Sequence, residues 1–550
     1  MTERGGRIRN GLHGVDRVSR RAFLGTTAGG AAAALAGCTG KSDSGGDRTT
    51  TESTDATSET TETTQSGSDA ASSATIALSM DPTMEVWNVY GGVMPYYTNV
   101  LEPLVWVADD MTLQPWLAES WEATGKKTWE FTLREDVQFH NGDPLTAETV
   151  AWSFEQVVNE WSYGTDWLHL EPDAISVLDD RTVEFETTDQ FPTFPGTIAH
   201  NMVAVQHPDR SREDHEVIGT GPYRVTDREQ GQHVKVAAFD EYWNQAPDTP
   251  KLTFRVISDA NTRGLALESG EVDVAFDPPT NQLGSMQSNE SIDVTTKLAP
   301  RAGFAGLNVY RSPTDDVKLR RALNYAVSQE LIVEEVLNGV GKPARGPIAE
   351  SIYWSAHDDL PEYGPDVEKA RRLVEESSYD GETLTLIAMN DRPVGSKLIA
   401  QVLQQAASDI GVSVDIRMLE HEAYDEAHRG GEAHVAITEL GTNSGAADYV
   451  IHDIFHSKGS LNKRQWQADG TGVYNLGDEV DGLIEQGMTT GDQATKEEAY
   501  GTALQTVMDQ GVVIPLYYGE YVVGAQSGVE GMDLRAIAQM SRWTGLDVQQ

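Results

Sequence analysis

The sequence predicts an α/β fold, and three patterns lead to this prediction. Trp129, Phe131 and Leu133 alternate with polar residues, as on a half-buried strand. Apolar residues spaced three and four apart predict amphipathic helices, including a long one from Leu319 to a stop at Gly339. Strand and helix patterns then alternate along most of the chain, which is typical of layered α/β proteins.

Other elements follow the same rules. Asn141 and Gly142 predict a tight turn, and the following helix begins near Pro144. A further helix ends at Gly411 and leads into an alternating strand that ends at Met418. These apolar residues are expected to form the core.

Residues 1–37 predict an export signal. Arg20 and Arg21 precede a small, apolar, uncharged stretch that ends at Gly37, the arrangement of a twin-arginine (Tat) signal. This stretch is shorter than the roughly 20 apolar residues of a spanning helix. Cys38 is the only cysteine, and its position resembles a lipobox, in which the cysteine carries lipid and becomes the mature N-terminus. The alternative is a cysteine beside an ordinary signal peptide.

Residues 38–74 predict a disordered tether. The segment consists mainly of Ser, Thr, Gly and acidic residues, so it offers almost no apolar surface to offset the entropy of ordering. The lipid and the tether together place the protein on the extracellular face of the cytoplasmic membrane.

The charge balance limits the partners. The formal net charge is −45, from 41 Lys and Arg against 86 Asp and Glu. Such a surface repels nucleic acid and anionic lipid headgroups. Extreme acidity suits a protein in concentrated salt, where self-repulsion is screened, so we hypothesise a halophilic, haloarchaeal source. One cysteine permits no disulfide within the chain.

A series of short motifs, all in one order, resembles the family 5 extracellular solute-binding proteins, the peptide and nickel receptors of ABC importers. The motifs begin at Leu101-Glu102-Pro103-Leu104 and Gln114-Pro115-Trp116-Leu117, and continue through Phe139-His140-Asn141-Gly142, Gly219-Thr220-Gly221-Pro222-Tyr223, Tyr242-Trp243, Gly270-Glu271-Val272-Asp273 and Leu319-Arg320-Arg321-Ala322-Leu323. We interpret Gly219 and Gly221 as a turn between lobes, in which glycine supplies unusual backbone angles.

The resemblance implies a type II periplasmic-binding-protein fold, bilobal with an additional domain. By this analogy domain I is discontinuous (75–98, 220–301 and 516–550), domain II covers 99–219 and domain III covers 302–515. The implied partners are a small-molecule ligand, with peptide favoured, ABC permease subunits and separate ATPase subunits. No cofactor is implied.

The resemblance also suggests ligand contacts. In peptide-binding relatives an aspartate of domain III pairs with the ligand amine, and the corresponding segment here makes Asp448 the best candidate, beside Tyr449. The alternative for Asp448 is a cap of the following helix. Arg392 matches a carboxylate-binding arginine loosely, and a surface ion pair is the alternative. Trp87 and Tyr90, like the nearby Tyr96 and Tyr97, either line the cleft or belong to the core.

Metal binding is a separate possibility. His452 and His456 are four residues apart, which on a helix places both imidazoles on one face. Nickel-binding relatives make this pair relevant, whereas the apolar residues around it indicate ordinary helix packing. No metal site is favoured.

Among the function classes, a transport receptor leads, with peptide ahead of nickel or a nickel chelate, and oligosaccharide third. A secreted hydrolase is the competing class, but the sequence lacks a Gly-x-Ser-x-Gly motif. We therefore predict that the protein is not an enzyme. A sensory receptor without a permease is a further alternative.

Overall fold

A computed structural model describes residues 73–81, 97–160, 165, 168–200, 203–209, 217–390, 393, 395–442, 444, 448–459, 462 and 473–549. Residues 69–550 form one compact unit. The predicted signal (1–37), Cys38 and nearly all of the predicted tether lie outside the described residues. The first strand begins at Ser73, two residues before the predicted start of domain I.

The strands, in chain order, are β1 (Ser73–Leu78), β2 (Val105–Val107), β3 (Leu113–Pro115), β4 (Ala118–Ala123), β5 (Thr128–Leu133), β6 (Leu170–Asp179), β7 (Thr182–Thr187), β8 (Tyr223–Glu229), β9 (His233–Ala238), β10 (Lys251–Val256), β11 (Val274–Phe276), β12 (Ile292–Leu307), β13 (Lys342–Pro343), β14 (Leu384–Met389), β15 (Val414–Leu419), β16 (Val435–Gly441), β17 (Val513–Gln526), β18 (Val529–Glu530) and β19 (Asp547–Val548). The helices of eight or more residues are α1 (Ala147–Glu160), α2 (Ala260–Glu268), α3 (Val317–Ala326), α4 (Val367–Glu375), α5 (Ser396–Asp409), α6 (His421–Arg429), α7 (Asp448–Phe455), α8 (Asp478–Thr489) and α9 (Gln493–Asp509). No helix among these described parts is long and apolar enough to cross a bilayer.

A mixed sheet of eleven strands is the centre of the described structure. Its order is β15-β14-β16-β12-β17-β11-β1-β10-β9-β8, and β13 pairs with β17. β1 is parallel to both β10 and β11, and β14 is parallel to both β15 and β16. The long strands β12 and β17 run antiparallel to each other through the middle. Two parallel groups therefore flank one central ribbon.

A separate antiparallel sheet has the order β4-β5-β7-β6. Its buried face carries Phe131 and Phe185, whose rings meet edge-on with centroids 5.5 Å apart, and α1 covers this face with Phe154, 4.9 Å from Phe185. The alternation predicted for Trp129 to Leu133 is confirmed by β5. The helix predicted after Gly142 is confirmed by α1, and Gly142 has φ +91°.

The long helix predicted from Leu319 to Gly339 is wrong as a single element. Helix α3 ends at Ala326, because Val327 adopts an extended conformation with φ −94° and ψ 133°. Ser328 then starts a new turn by accepting a hydrogen bond from the backbone N–H of Leu331. An apolar period continues across the break, so the period alone could not reveal it. The helix and strand predicted around Gly411 are confirmed by α5 and β15.

The two glycines of the Gly219–Gly221 turn are required for close approach rather than for unusual angles. Neither has a positive φ. A Cβ at Gly219 would lie 2.0 Å from the carbonyl oxygen of Val100, and one at Gly221 would lie 2.1 Å from that of Asn99. The chain segments around residues 100 and 220 thus approach so closely at these two glycines that a side chain at either position would collide with the opposite backbone.

Two buried histidines predict a loss of stability in acid. Burial lowers the pKa of His200 to about 3 and that of His428 to about 4. The unfolded chain binds protons at these side chains near pH 6.5, so stability is lost as the pH falls from about 6.5 toward 4, by roughly 1.4 kcal/mol per pH unit for each group. We expect His428→Asn to make the loss shallower in urea titrations at several pH values. A slope in His428→Asn equal to that of the wild type would contradict the assignment.

Candidate ligand-binding site

Four polar side chains lie near the middle of the large sheet, where its central strands end or shift register. Asp277 follows β11, Arg301 lies on β12 where its register with β17 shifts, Glu439 lies on β16 and Tyr517 on β17. We call these four residues the central polar group. A register shift of this kind redirects a side chain out of the regular ladder.

Three members of the central polar group form a connected chain. Arg301 Nη1 lies 3.2 Å from Glu439 Oε1, and the Tyr517 hydroxyl donates to Glu439 Oε2 at 2.6 Å. The Arg301 side chain is 50% exposed and that of Glu439 is 22% exposed. Burial, followed by the charge of Glu439, raises the pKa of Tyr517 well above its ordinary value, so the hydroxyl stays protonated and continues to donate. The group offers water-accessible charges of both signs.

Two glycines make room for this arrangement. A Cβ at Gly303 would lie 2.4 Å from a ring carbon of Tyr517, so the tyrosine ring occupies the space above that glycine. A Cβ at Gly519 would lie 3.3 Å from Cδ of Arg301. The central polar group was not identified from the sequence. The signal that could have found it was an acid directly after the buried apolar run of β11 and before two prolines, at Asp277.

Asp448, the predicted amine partner, is the first residue of α7 and already has a cation. Lys496 Nζ lies 2.7 Å from Asp448 Oδ1, and the Tyr500 hydroxyl donates to the same oxygen at 2.5 Å. The side chains of Asp448 and Lys496 are 5% and 11% exposed. A ligand amine at this carboxylate would therefore share it with Lys496. This geometry gives the carboxylate a structural role as the counter-ion of Lys496, which differs from the helix cap that was the alternative, and the ligand contact stays a prediction.

A second buried carboxylate joins several distant segments. Glu102, 4% exposed, accepts hydrogen bonds from Trp116 Nε1 at 2.9 Å and from the Thr220 hydroxyl at 2.8 Å. It also accepts from the Tyr242 hydroxyl at 2.8 Å and from Trp243 Nε1 at 3.0 Å. Burial raises the pKa of Glu102, and the four donors oppose that rise by stabilising the charge. From the sequence, this acid was part of a family motif without a role of its own.

Residues 112–462 match the model described as bacterial extracellular solute-binding proteins, family 5 Middle. The chain belongs to this family. Its fold is accordingly the bilobal periplasmic-binding fold with an extra domain.

Individual relatives of this family 5 protein cover most of its length. The probable D,D-dipeptide-binding periplasmic protein DdpA of Escherichia coli K12 is 24% identical over 76% of this chain and 81% of its own length. The glutathione-binding protein GsiB of Salmonella typhimurium LT2 is 27% identical over 76% and 83%, respectively. Among solved structures, the nickel ABC transporter from Bacillus halodurans is 26% identical, covers 87% of this chain and all of its own, and has a TM-score of 0.74. DdpA and GsiB are named as binding proteins, which fits a non-enzyme.

The structure describes some of the other predicted contacts of this family 5 protein. The Tyr449 hydroxyl donates to the carbonyl oxygen of Gly441 at 3.1 Å. Tyr97 is buried, and its ring meets Phe276 edge-on at 5.6 Å, which favours the core alternative for this residue. The remaining three candidates, Arg392, Trp87 and Tyr90, lie outside the described residues, as does Tyr96.

The predicted histidine pair comes together. The rings of His452 and His456 stack with centroids 4.6 Å apart and planes at 24°. His456 already uses both ring nitrogens, because Nδ1 accepts from the backbone N–H of Lys458 at 3.0 Å and Nε2 lies 3.2 Å from Glu485 Oε1. A metal at His456 would displace one of these contacts. Nickel binding at this pair stays an alternative.

One group of three potential metal ligands is found in the described part of the chain, formed by Asp143, His207 and Asp209. His207 Nδ1 accepts from the backbone N–H of Asp209 at 3.1 Å, and its Nε2 lies 3.2 Å from Asp143 Oδ2. Both ring nitrogens thus have protein partners, and the two carboxylates are exposed. His207 therefore connects the surface segments that carry Asp143 and Asp209.

Proposed function

We propose that this protein is the substrate-binding protein of an ABC importer, that it captures di- or oligopeptides in its interdomain cleft, and that it delivers them to a separate membrane permease. The observation that carries the proposal is the similarity, over about three quarters of the chain, to receptors named for dipeptides and glutathione. The central polar group supports it. A free peptide is a zwitterion, and water-accessible groups of both signs suit its two ends.

We further propose that the protein is exported by the Tat route and is held on the extracellular side of the membrane by lipid on Cys38. The support is the order of the N-terminal sequence, in which Arg20 and Arg21, an apolar stretch, Cys38 and a polar tether follow one another. The acidic composition supports a salt-rich environment.

Nickel or a nickel chelate is the second candidate ligand. The observation that favours it is the similarity to the nickel ABC transporter of Bacillus halodurans, together with the stacked His452 and His456. The relatives named above do not support oligosaccharide, the third candidate.

The two candidates are separated by calorimetric titration of the purified protein. The probes are dialanine, trialanine, glutathione, Ni²⁺ with L-histidine, and maltotriose. Saturable heat with a peptide and none with maltotriose is the expected result. Saturable heat with nickel–histidine alone would move the assignment to the second candidate, and binding of maltotriose alone would refute both.

Asp448→Asn tests the two roles of this carboxylate. We expect the variant to lose about 3 kcal/mol of unfolding free energy, because Lys496 would keep a buried charge without its counter-ion. Urea denaturation measures this loss, and the exposed Asp415→Asn on β15 is the matched control. The predicted contact with a ligand amine has a different readout, since it requires a larger loss of affinity for trialanine than for N-acetyl-trialanine. Unchanged stability would contradict the structural role.

A further inference from the structure

Asp277 occupies a position in the sheet where ligands of α/β proteins are bound. It directly follows β11, which is parallel to β1, so the carboxyl ends of both strands lie at the same edge as Asp277. In open α/β sheets, ligands bind in the crevice outside the carboxyl ends of the strands. The backbone N–H of Asp277 donates to the carbonyl oxygen of Val522 on β17, which fixes the residue to the centre of the sheet.

The backbone of Asp277 is held in an unfavourable conformation. Its φ is +47°, in the left-handed region, and it precedes Pro278, whose ring favours an extended conformation at the preceding residue. Such conformations cost of order 1–3 kcal/mol, persist only where the surroundings enforce them, and concentrate at ligand-binding and active sites. The strained backbone of Asp277 therefore suggests a functional role for this residue.

The buried Arg263 is the group that enforces this conformation. Its guanidinium donates to the carbonyl oxygens of Phe276 at 2.8 Å and Asp277 at 2.5 Å. It also donates to the carbonyl oxygens of Ile257 and Ser258, beyond the end of β10. Arg263 therefore ties the ends of two strands together through main-chain oxygens, and none of these hydrogen bonds reaches the carboxylate of Asp277.

The carboxylate of Asp277 is consequently open to a further partner. The residue is exposed, and no side chain within the described ranges donates a hydrogen bond to its carboxylate. The backbone of Val522 helps to stabilise its charge. Asp277 interacts electrostatically with four charged or titratable side chains, those of Arg263, Arg301, Tyr97 and Tyr521. Of these, Arg301 is engaged by Glu439.

The protein around Asp277 removes part of the hydration of its carboxylate. Water reaches the side chain, yet partial loss of hydration to the surrounding protein raises the pKa of Asp277, and Arg263, the backbone of Val522 and Arg301 oppose this rise. A partly dehydrated carboxylate without a side-chain donor gains more from an incoming cation than a fully hydrated surface acid does.

We propose that Asp277 is a specificity-determining ligand contact, which accepts a hydrogen bond from a cationic group of the bound molecule, a protonated amine or a guanidinium. The inference rests on the proposed function. It assigns the cation-binding role to Asp277, which follows β11, and not to Asp448, which follows β16. In the sheet order these two strands lie on opposite sides of the central ribbon of β12 and β17. The rival role for Asp277 is to balance the buried charge of Arg263 without touching ligand.

Two variants remove the carboxylate while tolerating a positive φ, Asp277→Asn and Asp277→Gly. The matched control is Asp415→Asn, which removes one exposed carboxylate from β15, five strands away in the same sheet. The calorimetric probes are trialanine, N-acetyl-trialanine and N-acetyl-Ala-Lys-Ala. Thermal melting of each variant without ligand is measured in parallel.

We expect both Asp277 variants to bind trialanine, N-acetyl-Ala-Lys-Ala or both at least tenfold more weakly than the wild type. The affinity of Asp415→Asn should stay within twofold of the wild-type value. A loss for trialanine that disappears for its acetylated form identifies the terminal amine as the cation. A loss confined to N-acetyl-Ala-Lys-Ala identifies a side-chain amine. Unchanged affinity for every cationic probe overturns the proposal, and a lower melting temperature with unchanged affinity assigns Asp277 to charge balance alone. Absence of peptide binding by the wild type refutes the proposed function itself, which is a separate result.

Discussion

Glu102→Ala is expected to lower the free energy of unfolding by about 3–5 kcal/mol. The substitution removes one acceptor from four donors at once, those of Trp116, Thr220, Tyr242 and Trp243. These donors are buried or partly buried, and each incurs a desolvation cost when it loses its partner. The measurement is the urea or guanidinium midpoint of the variant against the wild type.

Two comparisons make this expectation sharp. Glu122→Ala removes an exposed glutamate from β4 and should change stability by less than about 0.5 kcal/mol. Glu102→Gln keeps one acceptor oxygen but turns an amide N–H₂ toward neighbouring donors, so it should fall between the wild type and the alanine variant. If Glu102→Ala and Glu122→Ala were equally stable, the network around Glu102 would not support the fold.

Gly221→Ala is expected to cost at least about 3 kcal/mol or to prevent folding. The added methyl group would lie 2.1 Å from the carbonyl oxygen of Asn99 and 2.8 Å from that of Val100. These atoms belong to backbone, so they cannot rotate away as a flexible side chain would. The yield of folded protein and the denaturation midpoint both report the effect.

Gly482→Ala is the matched control for this substitution. Gly482 lies within α8 and has no positive φ, and a methyl group added there would meet no neighbouring side chain or loop within 4 Å. Alanine should therefore stabilise the helix by roughly 0.5–1 kcal/mol. A Gly221→Ala protein as stable as the wild type would show that the two chain segments separate without cost.

Much of the local structure followed from the sequence. The period of two around Phe131 and the period of 3.6 before Gly411 each indicated the correct element, because one face of each is buried. The break after Ala326 was missed, since the apolar period continues through it and only the extended Val327 and the capping Ser328 interrupt the helix. The family resemblance predicted the fold and is confirmed by the family match.

The site was harder to predict than the fold. Asp277, Arg301 and Glu439 are far apart in sequence, and the sheet order alone brings their strands together. Asp448 was singled out by the resemblance of its segment to peptide-binding relatives, whereas its partner Lys496 lies on a helix almost fifty residues later. A motif contains only residues that are close together along the chain. The role of a buried charged residue depends instead on which distant segment supplies its counter-ion.

The antiparallel ribbon of β12 and β17 has a mechanical consequence. Its pairing runs from Ile292 opposite Gln526 to Gly306 opposite Val513, and its register shifts near Arg301. The hydrogen-bonded ladder between the two strands resists stretching and sliding. Where the ladder is interrupted, the strands twist more easily. If one flank of the sheet rotated against the other, the rotation would accordingly be centred beside Arg301. Arg301 would then move least, and the strands at the outer edges of the sheet would move most.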